Sequence, residues 1–176
     1  MKKKDVVVTL NIRPIKLEDA ESFLNLCKML DQETAFMLYE PNERKTTALE
    51  QKHMIERVTS DKRSTILLAE IQDNIVGFLA LFSNKNNRNK HSAYIVIGIL
   101  QEYTGRGIGT ALLKHGIQWA KEHELHRLEL TVMVHNERGI ALYEKMGFQR
   151  EGMKRHSLSV DGQWIDEYYY SYLMED

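Results

Sequence analysis

The chain has 176 residues, one cysteine, 43% hydrophobic and 28% charged residues, and a formal net charge of −1. That length suits one domain with a sizeable core, the composition excludes a disordered chain, and the balance of charge argues against a general nucleic-acid binder. A single thiol, Cys27, excludes an intrachain disulfide and fits a reducing compartment, so a cytoplasmic protein is the expectation. The Met1-Lys2-Lys3-Lys4 start is not followed by an apolar segment of signal-peptide length, and no apolar run reaches the roughly 20 residues that span a bilayer.

Alternation of Val8, Leu10 and Ile12 predicts a first strand over Val6 to Arg13, ended by Pro14. From Glu18 the period turns helical, with Ala20, Phe23, Leu24, Cys27 and Leu30 on one face, and the pattern decays near Tyr39 to Asn42. Cys27 on that face reads as a buried structural thiol. A shorter helix is predicted from Thr46 to about Val58. Ser64 to Ile71 and Ile75 to Phe82 read as a hairpin turning at Gln72-Asp73-Asn74, followed by a polar loop and a strand over Ala93 to Leu100. Gly98 inside that strand marks a bulge or a close approach to the backbone.

Ile108 to Ala120 predicts an amphipathic helix, Leu128 to Val134 a strand, and Ile140 to Met146 a short helix stopped by Gly147. The tail offers strands Phe148 to Val160 and Trp164 to Leu173, joined at Asp161-Gly162. The order β-α-α-β-β-β-α-β-α-β-β predicts an α/β layered domain with a central mixed, mostly antiparallel sheet flanked by helices.

Two segments carry chemistry. Thr104-Gly105-Arg106-Gly107-Ile108-Gly109-Thr110 stands between a strand and a helix, where unpartnered amides and the helix dipole favour a phosphate. Glycines admit the close approach and the turns such a cradle needs, and Arg106 or Thr110 could add a donor. The spacing is neither G-x-G-x-x-G nor G-x-x-x-x-G-K-[ST], so dinucleotide and P-loop sites are poorly supported. In the second segment Asn136 is placed to cap a helix, and Tyr143 lies seven residues on, near the same face.

Together these segments resemble the GNAT superfamily of acyl-CoA-dependent N-acyltransferases. The likeness rests on Thr104, Gly107 and Gly109 in the loop, and on Asn136, Gly139, Leu142-Tyr143 and Gly147-Phe148 beyond it. It covers Ser64 to Phe148 well, a cofactor-binding core of about 64–148 within a single domain over 1–176. The departures are Thr104, where the family has Arg or Gln, and Gly139, where it has Ala.

The resemblance implies a splayed strand whose Ile97 and Ile99 backbone binds the pantetheine arm of acetyl-CoA. It implies Asn136 opposite, the 104–110 loop on the diphosphate, and Tyr143 as the acid that protonates the departing thiolate. The general base stays open: the splayed strand has no carboxylate, and Glu129, Glu33, Glu40 or a water chain are the alternatives. Glu33 and Glu40, in a stretch rich in aromatics and carboxylates, are also the substrate-side candidates.

The implied reaction is acetyl transfer from acetyl-CoA to a small-molecule amine, an amino acid first among them. The alternatives are a protein N-terminal or lysine acetyltransferase, and a non-catalytic acyl-CoA-binding sensor. Neither nucleic acid nor membrane is expected as a partner, and no metal, since His123 and His126 lack further ligands at zinc spacing. Exposed strand edges in the tail are of the kind that pair two chains, making a homodimer a further expectation.

Overall fold

The computed structural model describes residues 9–175. Seven strands form one sheet in the order β1-β2-β3-β4-β5-β7-β6. They are β1 (Leu10–Pro14), β2 (Thr65–Ile71), β3 (Asn74–Ser83), β4 (Ser92–Ile99), β5 (Arg127–Met133), β6 (Gln149–Val160) and β7 (Gln163–Leu173). Every neighbouring pair is antiparallel except β4 and β5, which run parallel. The helices are α1 (Ala20–Glu33), α2 (Ala48–Thr59), α3 (Ile108–Glu122) and α4 (Glu137–Lys145). The predicted element order is thus the observed one. Positions 6–8 of the predicted first strand lie outside the described residues.

Two hairpins follow from their turn chemistry. Asp161 and Gly162 both take positive φ (50° and 75°), as do Gln72 and Asp73 (50° and 62°). Two such residues in succession give the turn whose twist matches that of the strands it joins. Helix α2 begins at a capping box: Glu50 N–H donates to Thr47 Oγ1 (3.2 Å) and Thr47 N–H to Glu50 Oε2 (2.8 Å).

The sheet is covered on both faces. Leu112, Leu113, Leu128, Leu130, Tyr143 and Tyr170 belong to the cluster under α3 and α4. Phe23, Leu30, Ile55, Leu68 and Phe78 belong to the cluster under α1 and α2. Alternation along each strand sorts residues between these faces, so Leu128, Leu130 and Val132 face α3 and α4 while Glu129, Thr131 and Met133 face the other way. No described helix is long and apolar enough to cross a membrane.

Two expectations need correcting. The first helix does not run on to Tyr39 but stops at Glu33, with Thr34 already extended (φ −141°, ψ 141°). Thr34 Oγ1 accepts the Phe36 N–H (3.1 Å), a local bond that competes with continued helix. Nor is Gly98 a bulge: β4 stays in continuous register with β3 through Phe78↔Gly98. What approaches its backbone is the core itself, because a Cβ there would lie 2.7 Å from Leu30 Cδ1 and 3.0 Å from Phe78 Cε1. Gly98→Ala is therefore expected to destabilise the protein by about 1–3 kcal/mol through overpacking, read as a lowered denaturant midpoint with an unchanged m-value.

Candidate active site

Strands β4 and β5 pair only at Ser92↔Arg127, Ala93↔Leu128 and Tyr94↔Glu129, and then part. From Ile95 onward β4 remains bonded to β3 on one side and has no ladder partner on the other among the described residues. Leu100 N–H donates to Val76 O (2.9 Å) on the β3 side. Alternation then turns the Ile97 and Ile99 amides the opposite way, into the gap. At its apex the Tyr94 hydroxyl lies 2.7 Å from Thr131 Oγ1 and accepts the Thr131 N–H (3.2 Å), standing in for the lost ladder bond.

The gap opens into a cavity of about 1470 Å³ whose walls come from both faces of the sheet. Tyr94, Ile97, Ile99, Asn136 and Tyr143 line it, as do Thr131 and Met133. Asn136 caps α4, its Oδ1 accepting the Gly139 N–H (3.0 Å), which leaves the side-chain NH₂ free to donate. A Cβ on Gly139 would fall 2.8 Å from that NH₂, so the small residue lets Asn136 fold back over its helix. Tyr143 is 8% exposed, and its hydroxyl has no protein partner among the described residues yet is not sealed from solvent, so it opens to the cavity. Burial, with a smaller contribution from nearby Tyr94, pushes its phenol above the usual tyrosine range.

The glycine loop flanks this cavity without lining it, apart from Thr104. Gly105 and Gly107 sit at φ +76° and +80°, and a Cβ at either would meet nothing. Their glycine character is a matter of backbone conformation. Gly109 differs: a Cβ there would strike Leu142 Cδ2 at 2.8 Å, so glycine is needed to seat α3 against α4. Ala111 N–H closes the first turn of α3 on Gly107 O (3.0 Å), leaving the amides of Ile108, Gly109 and Thr110 aimed outward beside those of the loop. Arg106 lies over the Tyr103 ring (5.0 Å).

Several residues in the site carried no sequence signal. Arg138, on the first turn of α4, donates to Thr104 Oγ1 (2.6 Å) and brings a guanidinium beside the loop. Asp31, 2% exposed, takes two bonds from Arg44 (2.6 and 3.1 Å), with the guanidinium over the Tyr39 ring. This pair pins the α1–α2 connection, from which Phe36, Met37 and Leu38 wall the cavity. Glu167 of β7, with Ser157 and Lys154 of β6 bound to it, completes the polar groups on the far wall.

Of the carboxylates anticipated for substrate or base, Glu33 reaches the cavity, but its Oε2 accepts the Gln101 N–H (2.8 Å). Glu40 is exposed and does not line it. Glu129 lies off the cavity and is bound by Arg127 (3.0 Å). Cys27 is buried in the α1 cluster, and burial pushes its thiol up to about 11, which suits packing. Among the described residues no group of three His, Cys, Asp or Glu could hold a metal ion.

Residues 27–148 match the Acetyltransferase (GNAT) family. The chain belongs to that family. It is 32% identical over 104 residues to the L-amino acid N-acetyltransferase AaaT of Escherichia coli (strain K12), covering 58% of this chain and 64% of that one. It is 33% identical over 93 residues to the [ribosomal protein uS5]-alanine N-acetyltransferase of the same organism, covering 52% and 47%. The match therefore spans about half to two thirds of these relatives' length. A crystal structure of a GNAT-family acetyltransferase from Streptococcus pneumoniae superimposes with a TM-score of 0.92 at 27% identity, covering 94% of this chain and 100% of that one.

Removing Arg44 would strand the buried Asp31 carboxylate. Arg44→Ala is expected to cost about 3–5 kcal/mol, measured by equilibrium denaturation against the wild type.

Proposed function

We propose that the protein transfers the acetyl group of acetyl-CoA to the primary amine of a small molecule, an amino acid first among the candidates. The observation that carries this reading is the parted β4–β5 pair. It offers the Ile97 and Ile99 amides across a gap from Asn136 and the solvent-open Tyr143 hydroxyl. An extended arm bearing amide groups can add to β4 as a strand would. The unpartnered amides at the start of α3, with Arg138 and Arg106 nearby, suit the diphosphate at the other end of such a cofactor.

The size of the cavity supports two substrates meeting. At about 1470 Å³ it exceeds the usual pocket for one ligand, which is roughly 300–1,000 Å³. The pinned segment from Phe36 to Thr46 walls the acceptor side, which favours a small amine over a broad peptide surface. The named L-amino acid relative agrees with that preference. The ribosomal-protein relative keeps the N-terminal residue of a protein as the second reading, since its α-amine needs the same chemistry.

In this scheme a β4 amide stabilises the thioester oxygen as charge develops on it. The Tyr143 phenol supplies a proton to the departing thiolate. Because its pKa is raised, Tyr143 remains the protonated donor throughout the neutral range.

The test is CoA release, followed with a thiol reagent against amino acids, polyamines and short peptides. Tyr143→Phe is expected to lower kcat by about 10²–10⁴-fold, with acetyl-CoA affinity from calorimetry nearly unchanged; an unaltered kcat removes Tyr143 from the reaction. The wild-type kcat should show no alkaline fall below about pH 10, the ordinary tyrosine pKa. Gly107→Val forces a β-branched residue into φ +80°. It should abolish acetyl-CoA binding while circular dichroism still shows a folded chain.

A further inference from the structure

We infer that Glu167 is the general base: it binds the acceptor's ammonium from the face of the sheet opposite Tyr143 and takes its proton. This rests on the acetyl-transfer reading above.

Among the described residues four carboxylates line the cavity: Glu33, Glu43, Glu50 and Glu167. The first three belong to exposed residues and are tied to the backbone. Glu33 accepts from Gln101 N–H (2.8 Å), Glu43 from Glu40 N–H (2.8 Å), and Glu50 closes the α2 capping box. Glu167 alone is buried, at 8% exposure. Its Oε2 accepts from Ser157 Oγ (2.8 Å) and lies 3.6 Å from Lys154 Nζ. Its Oε1 has no protein partner among the described residues and is not sealed from solvent, so one oxygen remains to receive an N–H.

The sheet aims this carboxylate. Tyr168, Tyr170 and Tyr172 pack toward α3 and α4, so alternation sends Glu167 to the α1–α2 face. It is paired with Met133. Glu167 and Met133 line the same cavity as Ile97 and Ile99, from the β5–β7 side of the opening. A bulge in β6 between Lys154 and Leu158 carries His156 at φ +48°, its N–H on Asp166 Oδ1 (2.7 Å). That irregularity turns Ser157 onto Glu167, and bulges that re-aim a side chain beside a site are a recurrent device. Besides the four carboxylates, the ionisable groups that line the cavity are Cys27 on α1, Tyr39, Arg44 and Lys45 on the α1–α2 connection, His53 and Arg57 on α2, Tyr94 on β4, Arg138 and Tyr143 on α4, and Lys154 on β6.

The balance is as follows. Glu167 accepts one proton from the ammonium, and the freed amine lone pair forms the N–C bond as the thioester C=O becomes an oxyanion. The oxyanion reforms C=O, breaking the C–S bond. Tyr143 gives its proton to the thiolate and is repaid by the second proton leaving nitrogen. Products are the amide, CoA and one proton, which Glu167 returns to water.

The experiment compares wild type, Glu167→Gln and Glu167→Asp in the CoA-release assay from pH 6 to 10, with acetyl-CoA binding measured by calorimetry. Glu167→Gln is expected to lose about 10²–10⁴-fold in kcat at pH 7 with acetyl-CoA binding retained. Its deficit should shrink steadily as pH rises, because the ammonium then loses its proton to solvent unaided. Glu167→Asp should keep an intermediate rate. Should Glu167→Gln fail to fold, Ser157→Ala, which frees the carboxylate from its anchor, is expected to lower kcat and leave acetyl-CoA binding unchanged. Equal turnover by wild type and Glu167→Gln, or a deficit constant with pH, overturns the assignment alone. A wild type that binds acetyl-CoA but acetylates no amine overturns the transfer reading and the base with it.

Discussion

Everything in the site depends on β4 losing β5 after Tyr94. A strand in the middle of a sheet ordinarily has both edges paired, and an unpaired buried amide carries a cost comparable to a lost hydrogen bond. Here the loss is managed in two ways. The Tyr94 hydroxyl takes the Thr131 N–H at the apex, and beyond it the gap widens into a cavity where the remaining amides meet solvent or a ligand. The parting creates a passage through the sheet, so groups on opposite faces can act on one bond.

The two clusters that cover the sheet hold that passage open. On one face α3 and α4 meet closely, because Gly109 admits Leu142. This seats the start of α3 against the helix that Asn136 caps and that carries Tyr143. On the other face α1 presses Leu30 into the space left by Gly98. The Asp31–Arg44 pair then turns the chain back over the cavity. A buried ion pair is weak evidence for net stability; its consequence here is geometric, since it fixes the wall of the acceptor side.

Much of this was legible in the residues. Hydrophobic period and the Asp-Gly turn mark elements through forces that act within a few residues, and the element order followed from them. The loop and the Asn136 to Tyr143 helix were legible for the same reason, each being a local motif with its own backbone chemistry. The end of α1 was misjudged because Thr34 competes locally for a backbone bond, and nothing in the hydrophobic period registers that. Gly98 was visible as a special position, though its partner, Leu30, lies 68 residues earlier and is brought close only by packing.

The sequence by itself determined the elements, the helix caps, the tight turns and the family motifs, because each depends on near neighbours. The splay of β4 was implied by the family resemblance, but tertiary structure decided where β4 and β5 part, since strand divergence is a property of the whole sheet. It alone brought Arg138 to Thr104, Tyr94 to Thr131, and Ser157 and Lys154 to Glu167. Those pairs join different elements, and hydrogen bonds between them form only once burial has fixed the elements against each other. Of the carboxylates weighed from sequence, Glu33 was bound elsewhere and Glu40 lay outside the cavity. The one that is buried there, Glu167, lies on β7 and meets the cavity only through the packing of the whole sheet.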